Sequence, residues 1–218
     1  GLVAYYPFDG NASDMSGNGN DGTLQNGVAP GPDRFGRSAK AYDFDGVDDQ
    51  ILVADDPKLN FGQGNFSLFA WVKPRGLNNA SLIFKHTAPP SGYVLYLINN
   101  RNDARFYLSD GVSHSDNINL QGKLSIPSWR HLGVTINFGS NGILFVDGAQ
   151  HASFDVSDTL NSTSNNENLI FGANNGGSEN LEGKLDDVRI YDRALSAAEV
   201  AQLYHLERPG AVLTDANF

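Results

Sequence analysis

The chain has 218 residues, the size of one large domain, and its 40% hydrophobic and 11% aromatic content supports a packed core and excludes a mainly disordered chain. Acidic residues number 25 against 15 basic ones, a formal charge of −10, which argues against a surface for nucleic acid or anionic membranes. There is no cysteine, hence no disulfide, thiolate metal site or cysteine nucleophile, and no apolar run is long enough to span a bilayer.

The acidic excess is carried by 20 Asp and only 5 Glu beside 24 Gly. Asp, Asn and Gly favour turns over helices, because short polar side chains bond the local backbone and Gly reaches positive φ. In chain order, short apolar runs bounded by turn residues predict strands at Leu2–Phe8, Gln50–Ala54, Phe66–Lys73, Ser81–Lys85 and Tyr93–Ile98. Further strands are predicted at Arg105–Ser109, Arg130–Phe138, Ile143–Val146, Asn168–Gly172 and Lys184–Tyr191. In Arg130–Phe138, Leu132, Val134, Ile136 and Phe138 alternate with His131, Gly133, Thr135 and Asn137, so one face is apolar. Asp147-Gly148, after Ile143–Val146, is a two-residue hairpin signal. One helix is expected at Leu195–Tyr204, with Ser196 as N-cap and Glu199 completing a capping box. The fold class is therefore all-β: a two-sheet antiparallel β-sandwich with one short C-terminal helix, over residues 1–206, and 207–218 as a linker or tail. The start at Gly1 without Met reads as a mature fragment or a module of a longer protein.

Three oxygen-rich places stand out. The segment Asp9–Gly22 is a polar, Gly-rich loop able to curl around a hard cation such as Ca²⁺. Asp14-x-Ser16-x-Asn18-Gly19 resembles the start of an EF-hand loop, but its twelfth position is Gln25 and no helices flank it, so that motif fails. Asp43, Asp45, Asp48 and Asp49 cluster around Gly46. In the last strand, alternation places Asp186 with Val188 and Ile190, so that it approaches the core. A buried carboxylate needs a cation or hydrogen-bond donors; backbone amides are one answer, and a metal ion is the expectation here.

Enzyme templates are missing. None of the five Glu begins a Glu-x-Asp-x-x-Glu or Glu-x-Asp-x-Glu run of sandwich glucanases. His86, His114, His131, His151 and His205 have no zinc spacing, and there is no Gly-x-Ser-x-Gly elbow. His131 beside Trp129 reads as a hydrogen-bonded structural histidine, and Trp71 and Trp129 as core anchors.

Tyr6-Pro7-Phe8-Asp9-Gly10-Asn11, Phe44-Asp45-Gly46-Val47-Asp48-Asp49, Phe66-Ser67-Leu68-Phe69-Ala70-Trp71-Val72-Lys73, Trp129-Arg130-His131-Leu132, Val146-Asp147-Gly148 and Gly183–Ser196 occur in order along residues 2–204. This set resembles the laminin-G-like family of the concanavalin A-like lectin/glucanase superfamily. The resemblance implies a jelly-roll sandwich and a structural calcium ion binding the N-terminal region to the last strand. By position, Asp9 and Asp186 are its expected ligands, with Asp14, Asn18 and Gly46 as further candidates. Because the glucanase carboxylates are missing, the expected function is a non-catalytic, calcium-stabilised carbohydrate-binding or adhesion module of a secreted or cell-surface protein. A protein–protein interaction or structural module is the alternative, and a polysaccharide hydrolase or lyase a further one. Sugar contacts are expected from Tyr96, Arg105, Tyr107, Asn99, Asn100 and Asn102, on or beside adjacent strands. The partner is then a glycan or an extracellular protein, with no nucleic acid and no membrane insertion.

Overall fold

The computed structural model describes the chain except residues 77, 89, 99–102, 112–114, 120–123, 125, 157–160 and 212–218, and the side chains of 115–118. In chain order the strands are β1 Leu2–Tyr6, β2 Gly22–Gln25, β3 Ala29–Gly31, β4 Ala41–Asp45, β5 Gln50–Val53, β6 Phe66–Pro74, β7 Ala80–Thr87, β8 Ser91–Ile98, β9 Asp103–Asp110, β10 Ser115–Asn119, β11 Arg130–Asn137, β12 Asn141–Val146, β13 Ala149–Asp155, β14 Leu169–Phe171 and β15 Glu182–Tyr191, before the helix α1 Ala197–Glu207. They form two antiparallel sheets, as expected. The first runs β13-β12-β11-β6-β15-β4-β3, with β1 also paired to β15; the second runs β10-β9-β8-β7-β14-β5-β2. The short strands β2, β3, β4 and β10 were not marked by apolar runs; they are held by their neighbours in the sheets rather than by their own composition.

Period-two alternation builds the core. Phe66, Leu68, Ala70 and Val72 of β6 and Leu132, Val134 and Ile136 of β11 face the opposite sheet, where Tyr93, Leu95, Phe106 and Leu108 meet them. Tyr6 and Phe171 cross the gap with ring centroids 4.9 Å apart. Each large side chain buried in this way contributes on the order of 1.5–3 kcal/mol.

The outer face of the first sheet is covered as well. Phe69 and Phe145 project there and form a second cluster with Leu195 and Val200, against which Ile143, Tyr191 and Leu203 pack. Gly133, opposite Phe69, keeps room for that ring: a Cβ at this position would lie 2.0 Å from Phe69 Cδ1. The helix begins on the expected capping box, with Ser196 Oγ accepting from Glu199 N and Glu199 Oε2 from Ser196 N. It extends to Glu207, which lies beyond the expected end of the sandwich at 206 and is itself buried. The hairpin at Asp147-Gly148 has positive φ at both residues, 50° and 77°, the geometry of a type I′ turn. No helix among the described residues is long and apolar enough to cross a membrane.

Two sequence expectations change. Alternation along β15 is broken by a bulge between Asp186 and Arg189, with Asp187 at φ 44°. Leu185, Val188 and Ile190 therefore point into the core, whereas Asp186, paired across the ladder with Trp71, belongs to the outer, helix-covered face. Trp71 is buried on that same face, but Trp129 lies just before β11 and is only half-buried.

Candidate functional site

The outer face of the second sheet is different in kind. On β7, β8 and β9, Phe84, His86, Val94, Tyr96, Arg105 and Tyr107 alternate outward while Tyr93, Leu95, Ala104, Phe106 and Leu108 fill the core. Register brings them together, with Phe84 opposite Val94, Val94 opposite Tyr107, and Tyr96 opposite Arg105. His86 meets Tyr107 edge-on at 5.3 Å between ring centroids. The Arg105 guanidinium lies 5.6 Å from the Tyr96 ring centre, and its Nη1 donates to Tyr96 Oη at 3.0 Å. Beside Arg105 lies a hollow of about 350 Å³, lined by Phe84, His86, Val94, Tyr96, Tyr107, Asn174 and Glu179.

Asn174 and Glu179 come from the loop between β14 and β15. Asn174 Oδ1 accepts from the amides of Gly176 at 3.0 Å and Ser178 at 2.9 Å, which curls the loop. Ser81 of β7 then fastens it, donating its N–H to Glu179 O and its Oγ–H to Glu179 Oε2, both at 2.8 Å. A second hollow of about 380 Å³ adjoins the first, sharing Phe84, His86 and Asn174 and continuing along Thr87, Ala88, Pro90, Asn175 and Gly176. Burial pushes the His86 imidazole below its ordinary pKa, so it is neutral at pH 7, and its Nε2 is buried with no hydrogen-bond partner.

Of the sequence candidates, Tyr96, Arg105 and Tyr107 are brought together here. Asn99, Asn100 and Asn102 lie outside the described residues. Phe84, His86, Asn174 and Glu179 had not been singled out; the turn-rich run Asn174-Asn175-Gly176-Gly177-Ser178 signalled a loop, but not where it would fold.

The expected calcium ligands have other partners. Asp186, only 2% exposed, pairs with Arg34: Nη1 lies 2.6 Å from Asp186 Oδ2, and Nη2 lies 2.7 Å from Asp187 Oδ2. Asp186 Oδ1 accepts from Asp187 N. Burial and the adjacent Asp187 push the Asp186 carboxyl above the usual range, against the pull of Arg34. Asp9 is exposed and faces Lys40 at 3.5 Å. Asp14 receives four donors, from Tyr5 N, Ser16 N, Ser16 Oγ and Asn20 N. Burial works against its ionisation, but those donors hold its pKa below the ordinary value. Asn18 donates to Leu2 O and Val3 O and accepts from Lys58 Nζ. The N-terminal loop is thus tied to β1 by hydrogen bonds, while Asp9 pairs with Lys40 and Asp186 with Arg34. Gly46 turns at φ 84° between β4 and β5, where Asp45, Asp48 and Asp49 place carboxylate oxygens within 4.8 Å of one another.

His131 is structural but is not hydrogen-bonded as expected. It is buried among the rings of Phe69, Trp71 and Tyr204, and both ring nitrogens are without a hydrogen-bond partner. Burial, with Arg34 and Arg189 nearby, lowers its pKa to about 3.

The sequence profile of the Concanavalin A-like lectin/glucanases superfamily matches residues 44–201. Paraclostridial mosquitocidal protein 1 of Paraclostridium bifermentans is 24% identical over 225 residues, which cover 93% of this chain and 17% of that protein. Botulinum neurotoxin type X of Clostridium botulinum is 24% identical over 213 residues, covering 90% of this chain and 15% of the toxin. The crystal structure of the binding domain of Paraclostridial mosquitocidal protein 1 superposes with a TM-score of 0.81 at 22% identity, over 94% of this chain and 52% of that one. The botulinum neurotoxin serotype D ligand binding domain, in complex with N-acetylneuraminic acid, gives 0.77 at 17% identity, over 94% and 51%. At these identities the likeness is one of fold. This chain spans about half the length of those solved binding domains and about a sixth of the whole toxins.

Proposed function

The chain belongs to the concanavalin A-like lectin/glucanases superfamily, and we propose that within it this chain is a non-catalytic carbohydrate-binding module of a larger secreted or cell-surface protein. The observation that carries the reading is the groove on the second sheet. It offers Tyr96, Tyr107 and Phe84 as apolar surfaces for the C–H faces of sugar rings, with Asn174 and Glu179 as polar groups at the same site. That combination, mostly apolar walls with a few convergent polar groups, is what a small-ligand site requires. Glycoside hydrolysis by the usual route requires two carboxyl groups flanking the scissile bond, and Glu179 is the one carboxylate lining the first hollow among the described residues. The solved relatives are likewise binding domains.

Isothermal titration and a glycan microarray test this directly. Saturable glycan binding that is lost in Tyr107→Ala supports the reading, and binding unaffected by Tyr96→Ala and Tyr107→Ala together rejects the groove. Calcium enters as a proposal for the β4–β5 turn, where Asp49 is buried and its Oδ1 has no hydrogen-bond donor. A rise in Tm when Ca²⁺ is added to EDTA-treated protein, lost in Asp49→Asn, supports that ion; an unchanged melting curve rejects it.

A further inference from the structure

The groove continues from its first hollow into a second, and Glu179 is a charged group on its lining. Its two hollows, about 350 and 380 Å³, each fall in the lower range of small-ligand pockets, roughly 300–1,000 Å³. They meet at Phe84, His86 and Asn174, so an occupant of one abuts an occupant of the other. His86 lines both hollows at this junction, where neighbouring units of a chain would be joined.

Charge narrows the ligand. An ionised carboxylate accepts hydrogen bonds and donates none, so Glu179 takes ligand hydroxyls or amide N–H groups and repels a sugar carboxylate or sulfate. The nearby Arg105 is already engaged by Tyr96 Oη and Asn119 Oδ1. His86, held neutral by burial, supplies no positive charge.

Building on the glycan-binding reading above, we infer that the groove takes an extended, uncharged glycan chain lying across two adjoining subsites, rather than a single terminal acidic sugar. The test uses the whole chain on a microarray of neutral glycans of one to six sugars beside their sialylated counterparts, followed by titration calorimetry of the strongest neutral series. Neutral chains of three or more units are expected to bind at least tenfold more tightly than single sugars. Ala88→Glu, at an exposed position of the second hollow, is expected to remove that gain. Glu179→Gln is expected to reduce the preference for neutral over sialylated glycans. Single sugars binding as tightly as long chains, or sialylated glycans outbinding neutral ones, would overturn this inference alone. No signal for any glycan would overturn the binding reading and this inference with it.

Discussion

The two sheets present outer faces built from similar side chains and put to opposite uses. On the first, Arg189 lies over Tyr5 at 3.7 Å and a neutral histidine, His131, packs among aromatic rings. On the second, Arg105 lies near Tyr96 and a neutral histidine, His86, packs against Tyr107. What separates them is cover. The first face is closed by α1, whose last residue Glu207 accepts from Trp71 Nε1 at 2.9 Å and from Arg189 Nε at 2.7 Å. Arg34 closes it from another side, pairing with Asp186 and Asp187 and lying 4.7 Å from the Trp71 ring centre. The second face has a loop along one flank and a groove open to ligand. The same chemistry therefore serves cohesion where it is sealed and, in the function proposed above, recognition where it is not.

The largest expected contrast comes from removing one arginine on each face. Arg34→Ala leaves Asp186 buried with its counter-charge gone, and a loss of about 3–5 kcal/mol in urea unfolding is expected. Arg105→Ala, on the open face, should cost less than about 1 kcal/mol, because solvent replaces what the guanidinium supplied. Equal losses would show that the closed network is not the more tightly coupled of the two.

Acid distinguishes the histidines. The folded state keeps His131 neutral down to about pH 3, whereas the unfolded chain takes up that proton near its ordinary pKa of 6.5. Between those values the unfolded state holds more protons, so stability falls as pH falls. From pH 7 to pH 5 the loss attributable to His131 is about 2 kcal/mol, from roughly 1.4 kcal/mol per pH unit. Comparing urea midpoints of the native chain and His131→Phe at the two pH values measures it; an unchanged pH slope in the variant would reject the assignment. His86 shifts in the same direction, and His86→Phe should flatten the slope less.

On the open face the readout is binding rather than stability. Tyr107→Ala removes a ring that lines the first hollow and meets His86, and glycan affinity should fall about tenfold, or roughly 1–2 kcal/mol by analogy with other aromatic stacking contacts. Its Tm should move by no more than a few degrees. A large drop in Tm with unchanged affinity would make Tyr107 a structural residue like those under α1.

What could be read in the sequence follows the same division. Strands with clear alternation, such as Arg130–Asn137, were legible because one apolar face is a local property. Tyr96, Arg105 and Tyr107 could be proposed together because they occupy neighbouring apolar runs of the sequence, which pair as adjacent strands. Arg34 could not, since it meets Asp186 across 152 positions of sequence and nothing in its surroundings marks it as buried. Asp186 was assigned to the wrong face because a bulge inserts a residue at Asp187, and a one-residue slip exchanges the faces of a strand. The loop residues Asn174 and Glu179 come to the groove through contacts fixed by the fold, such as those of Ser81 with Glu179 and Asn175 with Glu167.

The smallest expected effect tests whether cover itself divides the faces. Ser196→Ala removes the hydroxyl that accepts from Glu199 N and donates to Glu199 Oε2, a loss of about 1 kcal/mol. Since α1 is what seals Trp71 and His131, part of that loss should appear as local opening of the helix rather than global unfolding. Hydrogen exchange should then quicken in Ala197–Glu207, and quenching of tryptophan fluorescence by acrylamide should rise as Trp71 becomes accessible, while glycan affinity stays unchanged. If uncapping the helix weakened glycan binding as well, the two faces would be coupled through the core, and the division between a sealed face and a recognising one would fail.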